Sequence, residues 1–199
     1  MPLRERFAAA ASFEQFVAGA KKNQDLWRGV YHVAHVPDAV VERAQALAAS
    51  YHLLFLAEDW CGDAANTVPP IVRLTELTSK LDARLLARDA NPDLMNAHLT
   101  NTSRSIPVVM VLDEDFEECG WWGPRPAELQ SWVIETGLTM PSPDRYRVIR
   151  TWYARDHARS TFSELLQLLE RCSPQPYAPP APPASPFPLP ATDIPSPAA

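Results

Sequence analysis

The segment from residue 51 to residue 57 constrains the fold more than any other part of the chain. Its sequence, YHLLFLA, is an apolar run and lacks the alternation of apolar and polar residues found in strands with one wet face. The run therefore predicts a β-strand that is buried on both faces. Because such strands occur where helices cover both sides of a sheet, the chain is expected to be an α/β protein.

Further strand and helix signals alternate along the chain up to residue 172. Strands are predicted at residues 83–87 and 108–112, and a return strand at residues 116–122 completes a hairpin. Helices are expected to begin at Ser12, Pro37, Gly62, Asn91, Pro126, Asp144 and Thr161. Two of these starts have the spacing of a capping box, Ser12 with Gln15 and Thr161 with Glu164. The order of elements predicts a mixed sheet with helices on both faces.

Composition changes sharply after Cys172, where eleven of the last 27 residues are proline. Proline lacks a backbone N–H and blocks helix and sheet, so residues 173–199 are predicted to form a solvated, disordered tail. A proline-rich ligand for a partner domain is the alternative. Residues 1–172 are long enough for one domain, with its core at about residues 38–138.

Charge and hydropathy exclude several classes of partner. The net charge is −6 and there is no basic run, so nucleic acid is not expected as a partner. The N-terminus shows no signal-peptide pattern, and the longest strongly apolar run, residues 53–57, is far too short to span a membrane. We therefore expect a cytoplasmic protein with no membrane association.

The three cysteines, Cys61, Cys119 and Cys172, are widely spaced and odd in number. This pattern does not resemble a disulfide framework, and it favours a reducing compartment. No pair of cysteines has CxxC spacing and the histidines show no ligand spacing, so no metal or other cofactor is predicted.

Cys61 is the candidate for chemistry because of its position. A buried strand ends, the chain turns, and Cys61 falls where a helix is predicted to begin. The N–H groups and partial positive charge of a helix N-terminus stabilise a thiolate, which is the reactive form of cysteine. Most lone cysteines are buried and inert, but the order strand, turn, cysteine and helix favours a reactive thiol.

The segment Trp60-Cys61-Gly62 resembles the start of the active-site motif of thioredoxins, which continues with proline and a second cysteine. Thioredoxins also have a kink-forming proline two turns into the same helix, and Pro69 matches it. The resemblance covers about residues 38–138. It implies a thioredoxin-like mixed β-sheet with helices on both faces, and with helical extensions at both ends of the chain.

Two later segments extend the resemblance. The loop containing Ile106-Pro107 resembles the cis-proline loop that faces the active cysteine in thioredoxins, and Trp122-Gly123 resembles an edge of their substrate groove. The resemblance therefore implies a cis Ile106–Pro107 bond opposite Cys61. It also implies that backbone groups at Ile106 hold a substrate as an added strand.

Three positions depart from the thioredoxin pattern. Ala64 stands in place of the second cysteine, Asp63 in place of the proline, and Phe55 in place of the buried acid that assists the second cysteine. The dithiol reaction is therefore not available within this motif. Cys119 and Cys172 are not expected to replace the missing cysteine. Strand alternation turns Cys119 away from the face of Trp122, and Cys172 ends the last helix.

Charges near Cys61 oppose a thiolate. Glu58, Asp59 and Asp63 surround it in sequence, and Asp63 is also a candidate cap for the helix N–H groups. Arg104, just before the cis-proline loop, is the nearest candidate counter-charge. We therefore expect only a modest lowering of the Cys61 pKa.

These observations predict a monothiol redox protein in which Cys61 forms mixed disulfides with protein or low-molecular-weight substrates. With no resolving cysteine nearby, an external thiol would release them. A second class remains open, a non-catalytic binding or chaperone-like module of the same fold. The supporting residues are predicted to be Trp60, Gly62, Asp63, Arg104, Ile106, Pro107, Trp122 and Gly123.

Overall fold

A four-stranded sheet forms the centre of the computed structural model, which describes residues 1–172. The strands are β1 (Tyr51–Ala57), β2 (Leu81–Ala87), β3 (Val108–Leu112) and β4 (Glu118–Trp122). Their order is β2-β1-β3-β4; β1 is parallel to β2 and antiparallel to β3, and β4 is antiparallel to β3. The sheet is therefore mixed, as the sequence predicted. The tail predicted at residues 173–199 lies outside the described residues.

Strand β1 is buried on both faces. Successive side chains point to opposite faces of a sheet, and both Leu54 and its neighbour Phe55 are fully buried. The same holds for every residue of β3. The prediction of a doubly covered sheet is confirmed.

Nine α-helices surround the sheet within the described residues. They are α1 (Leu3–Ala9), α2 (Phe13–Gly19), α3 (Gln24–Val33), α4 (Asp38–Gln45), α5 (Gly62–Glu76), α6 (Pro92–Ala97), α7 (Ala127–Glu135), α8 (Ser142–Asp156) and α9 (Arg159–Cys172). Short 3₁₀ turns lie at Arg88–Ala90 and Gly137–Thr139. Helices α7 and α8 pack on each other around a second, smaller apolar core formed by Leu129, Val133, Ile149 and Tyr153.

Most of the observed helices begin close to the residues predicted from the sequence, but some do not. The capping box of α2 is present, since Ser12 and Gln15 exchange hydrogen bonds of 3.2 and 2.9 Å. The capping box predicted at Thr161 is wrong, because α9 already begins at Arg159. The Glu164 carboxylate instead accepts hydrogen bonds from the indole N–H of Trp122 and the backbone of residue 127. Helices α1 and α3 were not predicted, and α4 ends before residue 49.

Cys119 and Cys172 form a disulfide, with their Cα atoms 5.6 Å apart. The expectation that the cysteines do not form disulfides is therefore wrong. The physical reason is tertiary packing: α9 lies against β4, with Leu168 over Gly120, and this brings together two cysteines that are 53 residues apart. The disulfide also removes the argument for a reducing compartment. In residues 1–172, Cys61 is the free cysteine.

The helices of residues 1–172 are all too short or too polar to cross a membrane.

Candidate active site

Cys61 is the N-cap residue of α5, directly after the turn that follows β1. Its Sγ accepts a hydrogen bond from the backbone N–H of Ala64 at 3.4 Å. The thiol donates to the carbonyl oxygen of Ile106, also at 3.4 Å. Only 7% of the residue is exposed. The thiol thus lies between the first turn of a helix and the loop before β3.

The Ile106–Pro107 peptide bond is cis, as the resemblance to thioredoxins implied. Gly123, which follows β4, packs directly on this loop with a φ of +132°. A Cβ at Gly123 would lie 2.1 Å from the carbonyl oxygen of Pro107, so only glycine fits there. The end of β4 therefore supports the loop that contacts Cys61.

Two of the acids expected to crowd Cys61 bind backbone groups elsewhere. The Asp59 carboxylate accepts hydrogen bonds from the backbone N–H groups of Lys21 and Lys22, at 2.7 and 3.0 Å. Glu58 accepts one from the backbone N–H of Asp89 at 2.9 Å. The loop between α2 and α3 and the 3₁₀ turn after β2 therefore hold this turn, through contacts that the sequence did not predict.

Asp63 is buried and has two partners from distant parts of the chain. Its carboxylate accepts hydrogen bonds from Arg125 at 2.5 Å and from the phenol of Tyr153, on α8, at 2.9 Å. The proposed role of Asp63 as a cap is wrong, because Cys61 holds the N-cap position. Arg125, not Arg104, is the counter-charge near the thiol; the Arg104 Nε donates to the Asn96 side chain instead.

The surroundings of Cys61 raise its pKa from the ordinary value of 9.0 to about 11. Burial of the thiol is the largest cause, and the negative charge of Asp63 is the second. The backbone N–H groups of Ala64 and Asp63 and the charge of Arg125 act in the opposite direction but do not outweigh them. The expected modest lowering is therefore wrong. Burial, followed by the charge of Asp63, also raises the pKa of Tyr153.

A cleft of about 600 Å³ opens next to Cys61. Among the predicted supporting residues, those that line it are Trp60, Gly62, Asp63, Arg104 and Ile106. Pro107 is not among the lining residues, and Gly123 packs on it. Trp122 is buried with its indole N–H bound to Glu164, and it is also absent from the lining.

The far wall of the cleft comes from α8, which supplies Tyr146, Ile149 and Arg150. Sequence reasoning missed this wall, since no motif marks α8 as part of a site. It also missed Arg125, which lies three residues beyond Trp122. In residues 1–172 no group of three or more His, Cys, Asp or Glu side chains is placed to hold a metal ion.

The mixed sheet, the cysteine at a helix start and the cis-proline loop beside it define a thioredoxin-like protein. The sequence profile of the family Thioredoxin_9, described as thioredoxin, matches residues 10–140. The chain belongs to this family.

Two solved structures are similar to the chain in fold. One is a protein of unknown function from Pseudomonas aeruginosa, with a TM-score of 0.70 and 21% identity over 87% of this chain and 99% of that one. The other is an HIV epitope-scaffold protein, with a TM-score of 0.67 and 22% identity over 86% of this chain and 99% of that one. No curated protein matches the sequence. At these identities the likeness concerns the fold alone.

Proposed function

We propose that the protein is a monothiol thioredoxin-like redox protein that forms mixed disulfides through Cys61. The observation that carries the proposal is the placement of the Cys61 Sγ. It lies at the start of α5, within hydrogen-bond distance of Ala64 N–H and Ile106 C=O, and beside an open cleft. Backbone N–H groups at that position stabilise the negative charge that a thiolate carries.

The reaction has two steps. The Cys61 thiolate attacks one sulfur of a substrate disulfide, so that a mixed disulfide forms and the other substrate sulfur leaves as a thiolate. An external thiolate then attacks the substrate sulfur of the mixed disulfide, and Cys61 leaves and takes up a proton. Loss of the second cysteine, at Ala64, makes the external thiol necessary.

The raised pKa of Cys61 slows both steps. Few molecules carry a thiolate at neutral pH, so the first step is slow and accelerates with pH. A thiol of high pKa is also a poor leaving group, which prolongs the life of the mixed disulfide. The protein is therefore suited to holding an adduct rather than to rapid turnover.

The surrounding residues have binding roles in this proposal. Ile106 offers backbone groups beside the cleft, and Trp60, which is 43% exposed, offers an aromatic face. The Arg88 guanidinium lies 5.0 Å from the centre of that ring, and both side chains line the cleft.

A second candidate is a binding module that uses the cleft without redox chemistry. The burial and raised pKa of Cys61 favour it, because both features protect a thiol from reaction. The two candidates differ in one property, the formation of a disulfide bond at Cys61.

The test is to incubate the oxidised protein with a small neutral disulfide at several pH values and to follow adducts by intact mass spectrometry. We expect one adduct, formed faster at higher pH, mapped to Cys61 and reversed by excess thiol. The Cys61→Ser variant should form none, and it keeps the Cys119–Cys172 disulfide as an internal control. A folded protein that forms no adduct even at alkaline pH would refute the redox proposal and favour the binding module.

A further inference from the structure

We propose that the cleft beside Cys61 selects small disulfides that carry carboxylates; this inference rests on the proposed function and names its substrate class. The cleft is lined by four arginines, Arg88, Arg104, Arg125 and Arg150, but by a single carboxylate, that of Asp63. The whole chain has a net charge of −6, so this concentration of positive charge is local to the cleft. A cleft lined by one sign of charge attracts ligands of the other sign.

The four arginines differ in how far their charge is neutralised. Arg125 is paired with Asp63, and Arg88 is paired with Asp89, outside the lining. Arg104 donates from Nε to the neutral amide of Asn96 and has no acidic partner in the described chain. Arg150 has no hydrogen-bond or ion-pair partner within residues 1–172. Two exposed guanidinium groups therefore remain available to an anion, and guanidinium groups bind carboxylates with paired hydrogen bonds.

The two available arginines line the cleft from two different elements of the fold. Arg104 precedes the loop whose Ile106 carbonyl receives the Cys61 thiol, and Arg150 projects from α8. A ligand with a carboxylate at each end can contact both arginines while its central disulfide faces Cys61. The cleft volume of about 600 Å³ suits a small molecule, since such sites measure roughly 300–1,000 Å³.

The test compares three symmetrical disulfides of similar size: dithiodipropionate, which is a dianion, hydroxyethyl disulfide, which is neutral, and cystamine, which is a dication. In each case the Cys61 thiolate forms a mixed disulfide and one equivalent of the small thiolate is released. We expect dithiodipropionate to react with Cys61 about tenfold faster than the neutral probe at low salt, and cystamine to react more slowly than either. Added salt should reduce these differences.

The variants assign the preference to the two arginines. Arg104→Gln combined with Arg150→Gln should bring the rates of the dianion and the neutral probe to within about twofold of each other. Arg147→Gln is the matched control, because Arg147 is also an exposed residue of α8 but does not line this cleft. Circular dichroism melting checks that each variant is folded.

Equal rates for the three probes, or an anion preference that survives the double substitution, would overturn the inference. Either result leaves the proposed function standing, since the neutral probe still modifies Cys61. Failure of all three probes to modify Cys61 would instead overturn the proposed function, and this inference with it.

Discussion

Replacing Asp63 by asparagine tests how the charge beside Cys61 controls the reactivity of the thiol. The substitution removes the negative charge and preserves the size of the side chain. It also leaves the Arg125 guanidinium, which now contacts Asp63 at 2.5 Å, without its anionic partner. Both changes favour the Cys61 thiolate, so the pKa of Cys61 should fall.

The size of the effect has an upper limit. If the pKa fell from about 11 to its ordinary value of 9.0, the thiolate fraction at neutral pH would rise about 100-fold. A thiolate of lower pKa is a weaker nucleophile, which removes about a factor of ten at a Brønsted coefficient of about 0.5. The net gain is at most about tenfold. Because burial remains in the variant and is the larger cause, we expect a gain of a few-fold.

The assay is the rate of Cys61 alkylation by iodoacetamide as a function of pH, read by intact mass. Asp59→Asn is the matched control: Asp59 is as close to Cys61 in sequence, but its carboxylate binds the backbone of Lys21 and Lys22. This control should leave the pH profile of Cys61 unchanged.

Stability needs a separate measurement, because the variant leaves a buried arginine unpaired. The Arg125 side chain is 16% exposed, and breaking such a pair costs about 3–5 kcal/mol. If the variant does not fold, Asp63→Asn with Arg125→Gln removes both charges. The pKa of Cys61 should still fall, because Asp63 has a larger influence on it than Arg125. A folded variant whose alkylation profile coincides with that of the wild type would refute this account of the raised pKa.

Three further predictions concern stability. Burial alone would lower the pKa of His98, but its hydrogen bonds to Glu118 and to a backbone carbonyl outweigh burial and raise the pKa. Protonated His98 therefore stabilises the folded state. Its contribution is complete below about pH 6.5 and is lost as the pH rises through the raised pKa. Glu118→Gln should therefore lower the free energy of unfolding more at about pH 6 than at about pH 9, in urea titrations. Reducing the Cys119–Cys172 disulfide, which closes a loop across 53 residues, should cost about 4 kcal/mol; an unchanged urea midpoint would contradict this. Deleting residues 173–199 should leave the melting temperature and Cys61 alkylation unchanged, and a drop of several degrees would show that the tail binds the domain.

The parts of the fold that sequence reasoning predicted depend on local signals. The apolar run of β1, the position of Cys61 at a helix start and the Ile106–Pro107 loop are each encoded in a few consecutive residues. That these elements lie together in space was implied by the resemblance to thioredoxins. For the site, this was enough to predict that Cys61 lies at the start of a helix and that the Ile106–Pro107 loop lies beside it.

The environment of the thiol could not be predicted in the same way. Asp63 binds Arg125 and Tyr153, which are 62 and 90 residues further along the chain. The charge that Cys61 experiences depends on these partners, and the pairing of Cys119 with Cys172 depends on the docking of α9. Such contacts follow from the packing of whole helices, for which the sequence offers no short pattern.

The separate apolar core between α7 and α8 has a consequence for the timing of the chemistry. Its four residues, Leu129, Val133, Ile149 and Tyr153, form a cluster distinct from the one around the sheet. Small units of this kind open at a lower free energy than the whole domain. An opening of α8 would break the hydrogen bond between Tyr153 and Asp63 and would expose the Arg150 side of the cleft to solvent. We expect amide hydrogens of α8 to exchange faster than those of β1 and β3. The rate at which α8 opens would then limit how fast a substrate reaches Cys61.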